Sequence, residues 1–459
     1  MQPTPAAESP SPAMEKPASL ARELARLAWP VLIAQLAVMA SGVADTVMAG
    51  RLSALDLAAV GIGASIYVTV FVSIMGVLLA LTPTVAHHYG AGRYTAIGAD
   101  VTQSAWMALA LATIAVLLLR NPEPFLALTQ LQPAVEAKVR AYLDAVSWSV
   151  PAALAFRLFY GFSSGIGRTR PIMIFNLAGL ALKVPLNAVL MYGLFGLPAL
   201  GSTGCGVATA IVAWITALAA WGWSARHPAY REFALFARFE PPRPAAIAAL
   251  LKLGLPIGAT FLVDVTAFTF MALFIARLGP TASGAHQIAA NLAALTFMLP
   301  LSLGNATAVL AGQALGAGDR RRARRAGWYG IALGMGLALA VSLLLWFGAA
   351  PIAALYTPDP AVRAAAATLI VLVAVYHLAD ALQAVAVNAL RGYRKSTVPM
   401  VIYAVALWGL GLGGGVAIGL GDGLGAPLGA AGFWIAAIAS LALAGGLVTF
   451  YFERVSRSA

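Results

Sequence analysis

Charge is what this sequence has least of: 10% of its 459 residues are Asp, Glu, Lys or Arg, against roughly 25% in soluble domains. At the same time 61% of the residues are hydrophobic and the mean hydropathy is +0.85. A soluble core cannot absorb that much apolar surface, and no polar stretch is long enough to fold as a domain of its own. Cysteine is nearly absent. The single Cys205 excludes an intramolecular disulfide, and without a Cys/His cluster elsewhere it argues against a structural zinc site. The histidines His87, His88, His227, His286 and His377 show neither metal spacing nor the nucleophile–base spacing that an intramembrane enzyme would need. The chain is therefore expected not to be an enzyme and to use no cofactor. Residues 1–26 contain no short apolar core before a cleavage site, so they are expected to form an N-terminal tail rather than a signal peptide.

What the sequence does have is apolar length. Twelve segments, centred from Met39 and Val70 through to Leu410 and Leu441, each cover roughly the twenty residues that a ~30 Å hydrocarbon slab requires. The class this predicts is an all-α membrane protein of twelve transmembrane helices. The net charge of +12 is explained by position: with a cytoplasmic N-terminus, the tails and even-numbered connections hold 21 of the 29 Lys and Arg residues. That asymmetry is the positive-inside signature and puts both termini in the cytoplasm. The run Asp319-Arg-Arg-Arg-Ala-Arg-Arg325 then faces anionic lipid headgroups, with no nucleic-acid partner expected.

The chain also repeats itself. Pro30 recurs as Pro256, Arg51-Leu52 as Arg277-Leu278 and Gly90-Ala91-Gly92 as Gly316-Ala317-Gly318, each at an offset of 226 residues. Leu200-Gly201-x-x-Gly204 returns as Leu428-Gly429-x-x-Gly432 at 228. The expected organisation is an N-lobe at 27–225, a cytoplasmic linker at 226–252, a C-lobe at 253–452 and a tail at 453–459. Six helices per lobe return the chain to the side it started from, which makes the repeat parallel and suits alternating access by rocking of two bundles.

Ionisable residues at bilayer depth cost several kcal/mol each, so each is a functional candidate. Asp264 lies twelve residues past Lys252 and Asp380 eleven before Arg391, which puts both carboxylates about 17 to 18 Å above the cytoplasmic boundary. The C-half is expected to hold no helix-interior cation, so the two acids could bind a monovalent cation or share a proton. Tyr376 and Gln383 stand about one turn either side of Asp380 on the same face. In the N-half, Lys183 and Asn187 are one turn apart, and a buried Lys there needs a counter-ion, for which Asp45 is nearest in depth. Asp56 and Asp144, near helix ends, are expected to be solvated. Arg157 is interior and is expected to snorkel or to pair inside the N-half, with no particular partner identified. His286, Gln287, Phe268 and Met271, together with Gln383, are candidates for a substrate cavity, the aromatic and thioether groups suiting planar cations.

With these residues in place, the sequence resembles the multidrug and toxic compound extrusion (MATE) family, in its bacterial NorM-type branch. The resemblance rests on Ala44-Asp-Thr-Val-Met-Ala-Gly50, Leu182-Lys-Val-Pro-Leu-Asn187, Met191-Tyr-Gly193, Gly204-Cys-Gly-Val-Ala-Thr209, Gly284-Ala-His-Gln-Ile-Ala289, Phe297-Met-Leu-Pro300 and Ala389-Leu-Arg-Gly-Tyr393. It implies a V-shaped pair of six-helix lobes that exports cationic, often aromatic drugs in exchange for Na⁺ or H⁺ across the bacterial inner membrane. It also implies that Asp264, Asp380 and Tyr376 couple cation to drug, with Na⁺ held only transiently, and that Asp45 is the N-lobe acid. Two positions depart from the branch: Asp264 stands where Glu is usual, and Lys183 where Asn is usual. No obligate partner subunit is expected, so the protein should act as a monomer. A lipid-linked saccharide flippase of the same superfamily would be expected to show more cavity cations than Lys183 and Arg157, while a channel would not need the duplicated halves.

The topology is tested by labelling single cysteines in a Cys205→Ser background with an impermeant reagent from outside. Positions Arg93, Arg168, Arg322 and Lys395 should be protected and Leu197 and Gly423 reactive; external labelling at Arg322 would overturn the orientation.

Overall fold

The computed structural model describes residues 17–127, 131–235, 240–421 and 426–458; the Met1–Lys16 tail and the Gly423 position lie outside them. The described residues form helices and connections. In the first half these are α1 (Pro17–Leu52), α2 (Ala54–Leu78), α3 (Leu81–Gly90), α4 (Tyr94–Arg120), the single turn α5 (Glu123–Leu126), α6 (Pro133–Ser147), α7 (Ser149–Gly165), α8 (Arg170–Tyr192) and α9 (Ser202–Arg226). In the second they are α10 (Pro244–Ala276), α11 (Pro280–Gly316), α12 (Arg320–Tyr356), α13 (Pro360–Gly392), α14 (Thr397–Ala404), α15 (Gly414–Gly419) and α16 (Gly429–Ser458).

Among the described residues, eleven helical stretches are long and apolar enough to cross a membrane. The twelfth segment is the pair α6–α7. Its break falls at Trp148 because Pro151 has no N–H to bond the carbonyl of Ser147. A nine-residue π-helical segment, Val405–Gly413, joins α14 to α15 and is rich in glycine. It packs on α16, where Gly411 meets Ser440, and α15 continues the contact, Gly415 meeting Phe433.

Two boundaries differ from the sequence expectation. The first helix begins at Pro17, ahead of Leu27, because Leu24 is buried against Leu303 and Val309 of the other lobe and Glu23 pairs with Arg322 at 3.1 Å. The helix α10 begins at Pro244, inside the segment expected to be linker. The linker itself is strapped to the N-lobe. Tyr230 and Phe233 are buried among Phe162, Tyr94 and Trp223, and Gln103 donates to the Pro241 carbonyl at 3.0 Å while accepting from the Arg243 amide at 2.7 Å.

The seam between the lobes is built twice, once for each copy of the repeat. The Gly90 Cα faces the backbone carbonyl of Gln313, and Gly316 faces that of His87, so tightly that a Cβ at either glycine would overlap the oxygen. His87 and Gln313 are themselves one repeat apart, as are Gly90 and Gly316. Their side chains repeat the reciprocity: His87 Nε2 lies 2.8 Å from the Gly392 carbonyl and Gln313 Nε2 donates to the Gly165 carbonyl at 2.8 Å. Further along, Asn305 Nδ2 donates to Tyr160 Oη at 2.9 Å and Ser164 Oγ at 3.1 Å, and Gly76 of α2 meets the Gly258 Cα of α10. These contacts lie towards the end of the bundle that carries the basic loops. Away from that end, α1 and α10 leave Val43, Val47 and Leu273 exposed.

Gly316→Ala and Gly90→Ala should each destabilise the protein by about 1–3 kcal/mol, the usual cost of overpacking, read as a lower thermal midpoint in detergent. Unchanged midpoints in both would contradict the backbone-to-backbone seam.

Candidate functional site

Both lobes bury acidic residues, and the two lobes treat them differently. In the N-lobe Lys183 is 3% exposed on α8 and donates from Nζ to Asp45 Oδ2 at 3.0 Å and to Thr209 Oγ1 at 2.7 Å. Asn187, one turn on, donates from Nδ2 to Asp45 Oδ1 at 2.6 Å. Both carboxylate oxygens of Asp45 are thus engaged, one by a cation. A charge buried in this way keeps its ionised form only because its partners replace water, and removing either partner leaves the other stranded.

Among the described residues of the C-lobe no such cation meets the acids. Asp264 on α10 accepts a 2.5 Å hydrogen bond from Tyr403 Oη of α14. Asp380 on α13 is 5% exposed, and its carboxylate accepts no hydrogen bond among the described residues. The two acids lie within electrostatic range of one another and of Tyr376 and Tyr403. Tyr376 sits in an aromatic group with Phe268 and Trp434, the ring centroids 5.4 to 6.4 Å apart, and His286 lies 5.9 Å from Trp434. A small cavity of about 40 Å³ lies beside Asp264, lined by Thr260, Phe261, Phe297, Leu301, Gln383, Ala384, Val387, Asn388, Arg391 and Tyr403.

Of the substrate candidates, Gln383 lines this cavity, together with the coupling candidate Asp264. Phe268 and His286 belong to the aromatic group instead, Met271 is packed in the lobe core, and Gln287 is exposed. Two expectations need correction. The C-half does contain a helix-interior cation, because α13 runs on to Gly392 and α10 covers its end; Arg391 is 8% exposed, its guanidinium 5.7 Å from the Phe261 ring. Asp56 is not solvated. It is 6% exposed because α6 and α9 fold over the start of α2, where Lys138 donates to it at 2.6 Å and the Ser202 amide at 2.9 Å. Arg157 does pair inside the N-half, its guanidinium 4.8 Å from the centroid of the Tyr160 ring.

Sequence reasoning missed Tyr403, Asn388, Arg391 and Thr209 as site residues. For the first, no signal existed beyond a hydroxyl in an apolar helix. The second and third were detectable: Asp380, Ala384, Asn388 and Arg391 recur at helical spacing along one stripe of α13.

This geometry, two buried acid clusters in two lobes of one repeat, can be set beside known proteins. The MatE family model matches residues 30–189 and again 256–416, two copies starting 226 residues apart. The chain belongs to the MatE family. As a MatE protein it has full-length relatives: a probable multidrug resistance protein NorM of Aromatoleum aromaticum is 42% identical over 440 residues, covering 96% of this chain and 95% of that one. The multidrug resistance protein PmpM of Pseudomonas aeruginosa is 41% identical over 439 residues, covering 95% and 91%. The MatE fold is shared with the Vibrio cholerae MATE transporter VcmN in its bent form, with a TM-score of 0.85 at 20% identity over 96% of this chain and 98% of that one.

Within this MatE protein the Lys183–Asp45 contact makes a double-mutant test direct. Lys183→Ala should lower the thermal midpoint and efflux more than Lys183→Ala combined with Asp45→Asn, with a coupling of about 1–3 kcal/mol. Additive losses would show that the two side chains do not act as a unit.

Proposed function

We propose that this chain is a secondary active exporter that carries cationic and aromatic organic compounds out across the bacterial inner membrane in exchange for Na⁺ or H⁺. The observation that carries the reading is the contrast between the two lobes. Asp45 is compensated by Lys183, whereas Asp380 is buried without a hydrogen bond among the described residues. A carboxylate in that position favours taking up a proton or a small cation. The coupling centre is Asp380 with Asp264 and Tyr376, and the acidic wall of the cavity beside Asp264 receives the positive group of the substrate.

The two ligands compete because a ligand shifts a conformational equilibrium only through its differential affinity for the two states. The duplicated seam supports alternating access. It closes the basic end, which is cytoplasmic by the distribution of Lys and Arg, with both termini on that side. The names of the relatives, multidrug resistance proteins in each case, support the substrate class.

Efflux in proteoliposomes under separately imposed Na⁺ and H⁺ gradients tests the proposal. Asp380→Asn should insert normally and lose gradient-driven efflux by at least about tenfold, the worth of roughly 1.4 kcal/mol. Asp264→Asn should lose coupling and also bind cationic compounds more weakly, while Asp264→Glu keeps activity. Wild-type pumping by Asp380→Asn under both gradients would sink the C-lobe mechanism.

A further inference from the structure

Asp264 is held by the fifth helix of its own lobe. Tyr403 of α14 is 5% exposed, and its hydroxyl donates to Asp264 Oδ1 at 2.5 Å, within the range of an O–H donor on a carboxylate. Five residues on, Trp408 Nε1 donates to the Val263 carbonyl at 3.4 Å, and its ring lies 5.6 Å from that of Phe270. Both contacts are with α10. An α-helix turns about 100° per residue, so residues five apart point about 140° apart. The π-helical segment Val405–Gly413 starts between the two, and its wider turn, bonded to the fifth residue, brings Tyr403 and Trp408 to the face that meets α10. Five of the seven residues from Gly409 to Gly415 are glycine, and nothing lies within 4 Å of where a Cβ of Gly409 would stand. Glycine leaves that backbone free to change its winding. The N-lobe is built differently: α8 runs on as α-helix through Lys183 and Asn187, whose counterparts at the offset of 228 are Gly411 and Gly415.

The cavity beside Asp264 is about 40 Å³, room for a few waters at the roughly 10–15 Å³ that one requires, and not for an organic cation. A compound that reaches Asp264 has to displace part of the lining. Tyr403 both occupies the carboxylate and adjoins the π-helical segment.

We propose that Tyr403 is a placeholder on Asp264: when no substrate is bound, its hydroxyl fills the position that the positive group of the substrate takes, and rewinding of the π-helical segment to α geometry withdraws it. Rewinding turns Tyr403 and Trp408 apart, so the hydroxyl leaves Asp264 as Trp408 loosens from α10. Tyr403 is thus a positioning residue that acts on the substrate through Asp264. The inference rests on the export reading and adds the step by which the cavity opens.

Ethidium, a planar aromatic cation, is the probe, and its binding to the purified full-length protein in detergent is followed by fluorescence anisotropy. Tyr403→Phe keeps the ring and removes the competing hydroxyl. It should bind ethidium at least about tenfold more tightly than wild type, the factor that a hydrogen bond to a charged group carries. The gain should vanish in Tyr403→Phe combined with Asp264→Asn. A side chain that merely supported the fold would weaken binding and lower the thermal midpoint. Rewinding is tested by joining Phe270→Cys and Trp408→Cys, in a Cys205→Ser background, with a short bifunctional thiosulfonate in proteoliposomes. The cross-link should reduce gradient-driven ethidium efflux at least about tenfold, with recovery on reduction. Should Tyr403→Phe fail to fold, the cross-link decides. Equal or weaker binding by Tyr403→Phe, or no binding by either protein, overturns the placeholder, and full efflux in the cross-linked protein overturns the rewinding. Efflux by wild type with no gain in binding by Tyr403→Phe would remove the placeholder and leave the export reading standing. Tighter binding by Tyr403→Phe with no efflux by wild type would do the reverse.

Discussion

The arrangement depends on how closely two backbones can approach. At Gly90 and Gly316 the lobes touch main chain to main chain, with no side chain between them. Lipid tails are as apolar as the helix surfaces, so apolar burial provides little drive for helices to associate in a bilayer; small residues, close contact and hydrogen bonds do that work. The seam uses all three. The glycines admit the approach, the approach brings His87 and Gln313 to the last carbonyls of α13 and α7, and those carbonyls are among the groups that every helix end leaves unpaired. Because both copies of the repeat supply one glycine and one donor, the seam has the symmetry of the chain that makes it.

The same solvent explains where the acids are and why they differ. A lone carboxylate in hydrocarbon must find a partner or give up its charge. The N-lobe brings Lys183 and Asn187 to Asp45 from one face of α8. Among the described residues the C-lobe provides a tyrosine hydroxyl for Asp264 and nothing of the kind for Asp380. Pseudo-symmetry of the backbone is thus combined with asymmetry of charge.

Much of this was legible in the sequence because a bilayer imposes its thickness on each segment. Apolar runs of about twenty residues, repeated at a constant offset, define the helices and the two halves, and counting residues from a basic loop gives depth. Depth was enough to pair Lys183 with Asp45. It was not enough for Arg391 or Asp56. Both sit at helix ends, where a residue count predicts water, and both are covered by another part of the chain, Phe261 of α10 in one case, Lys138 of α6 and the start of α9 in the other. One sequence gives position along a helix axis but not which neighbour lies over its end. The π-helical segment after Tyr403 was hidden for a related reason: it changes the register of a helix that reads as one apolar run.

A carboxylate whose positive partner is tethered to the same lobe carries no net charge through any movement of that lobe. Asp45 and Lys183 travel together, so in the rocking cycle proposed above this pair displaces no net charge. The membrane potential, worth about 2.3 kcal/mol per elementary charge per 100 mV, then does no work on this pair and, in the proposed cycle, acts on what the C-lobe binds. Exchanging one inward monovalent cation for one outward organic cation is electrically silent. Exchanging the same cation for a zwitterion moves one charge inward and lets the potential drive export. By fixing a lysine beside Asp45, the fold leaves the electrical work of each turnover to be set by the charge of the compound expelled.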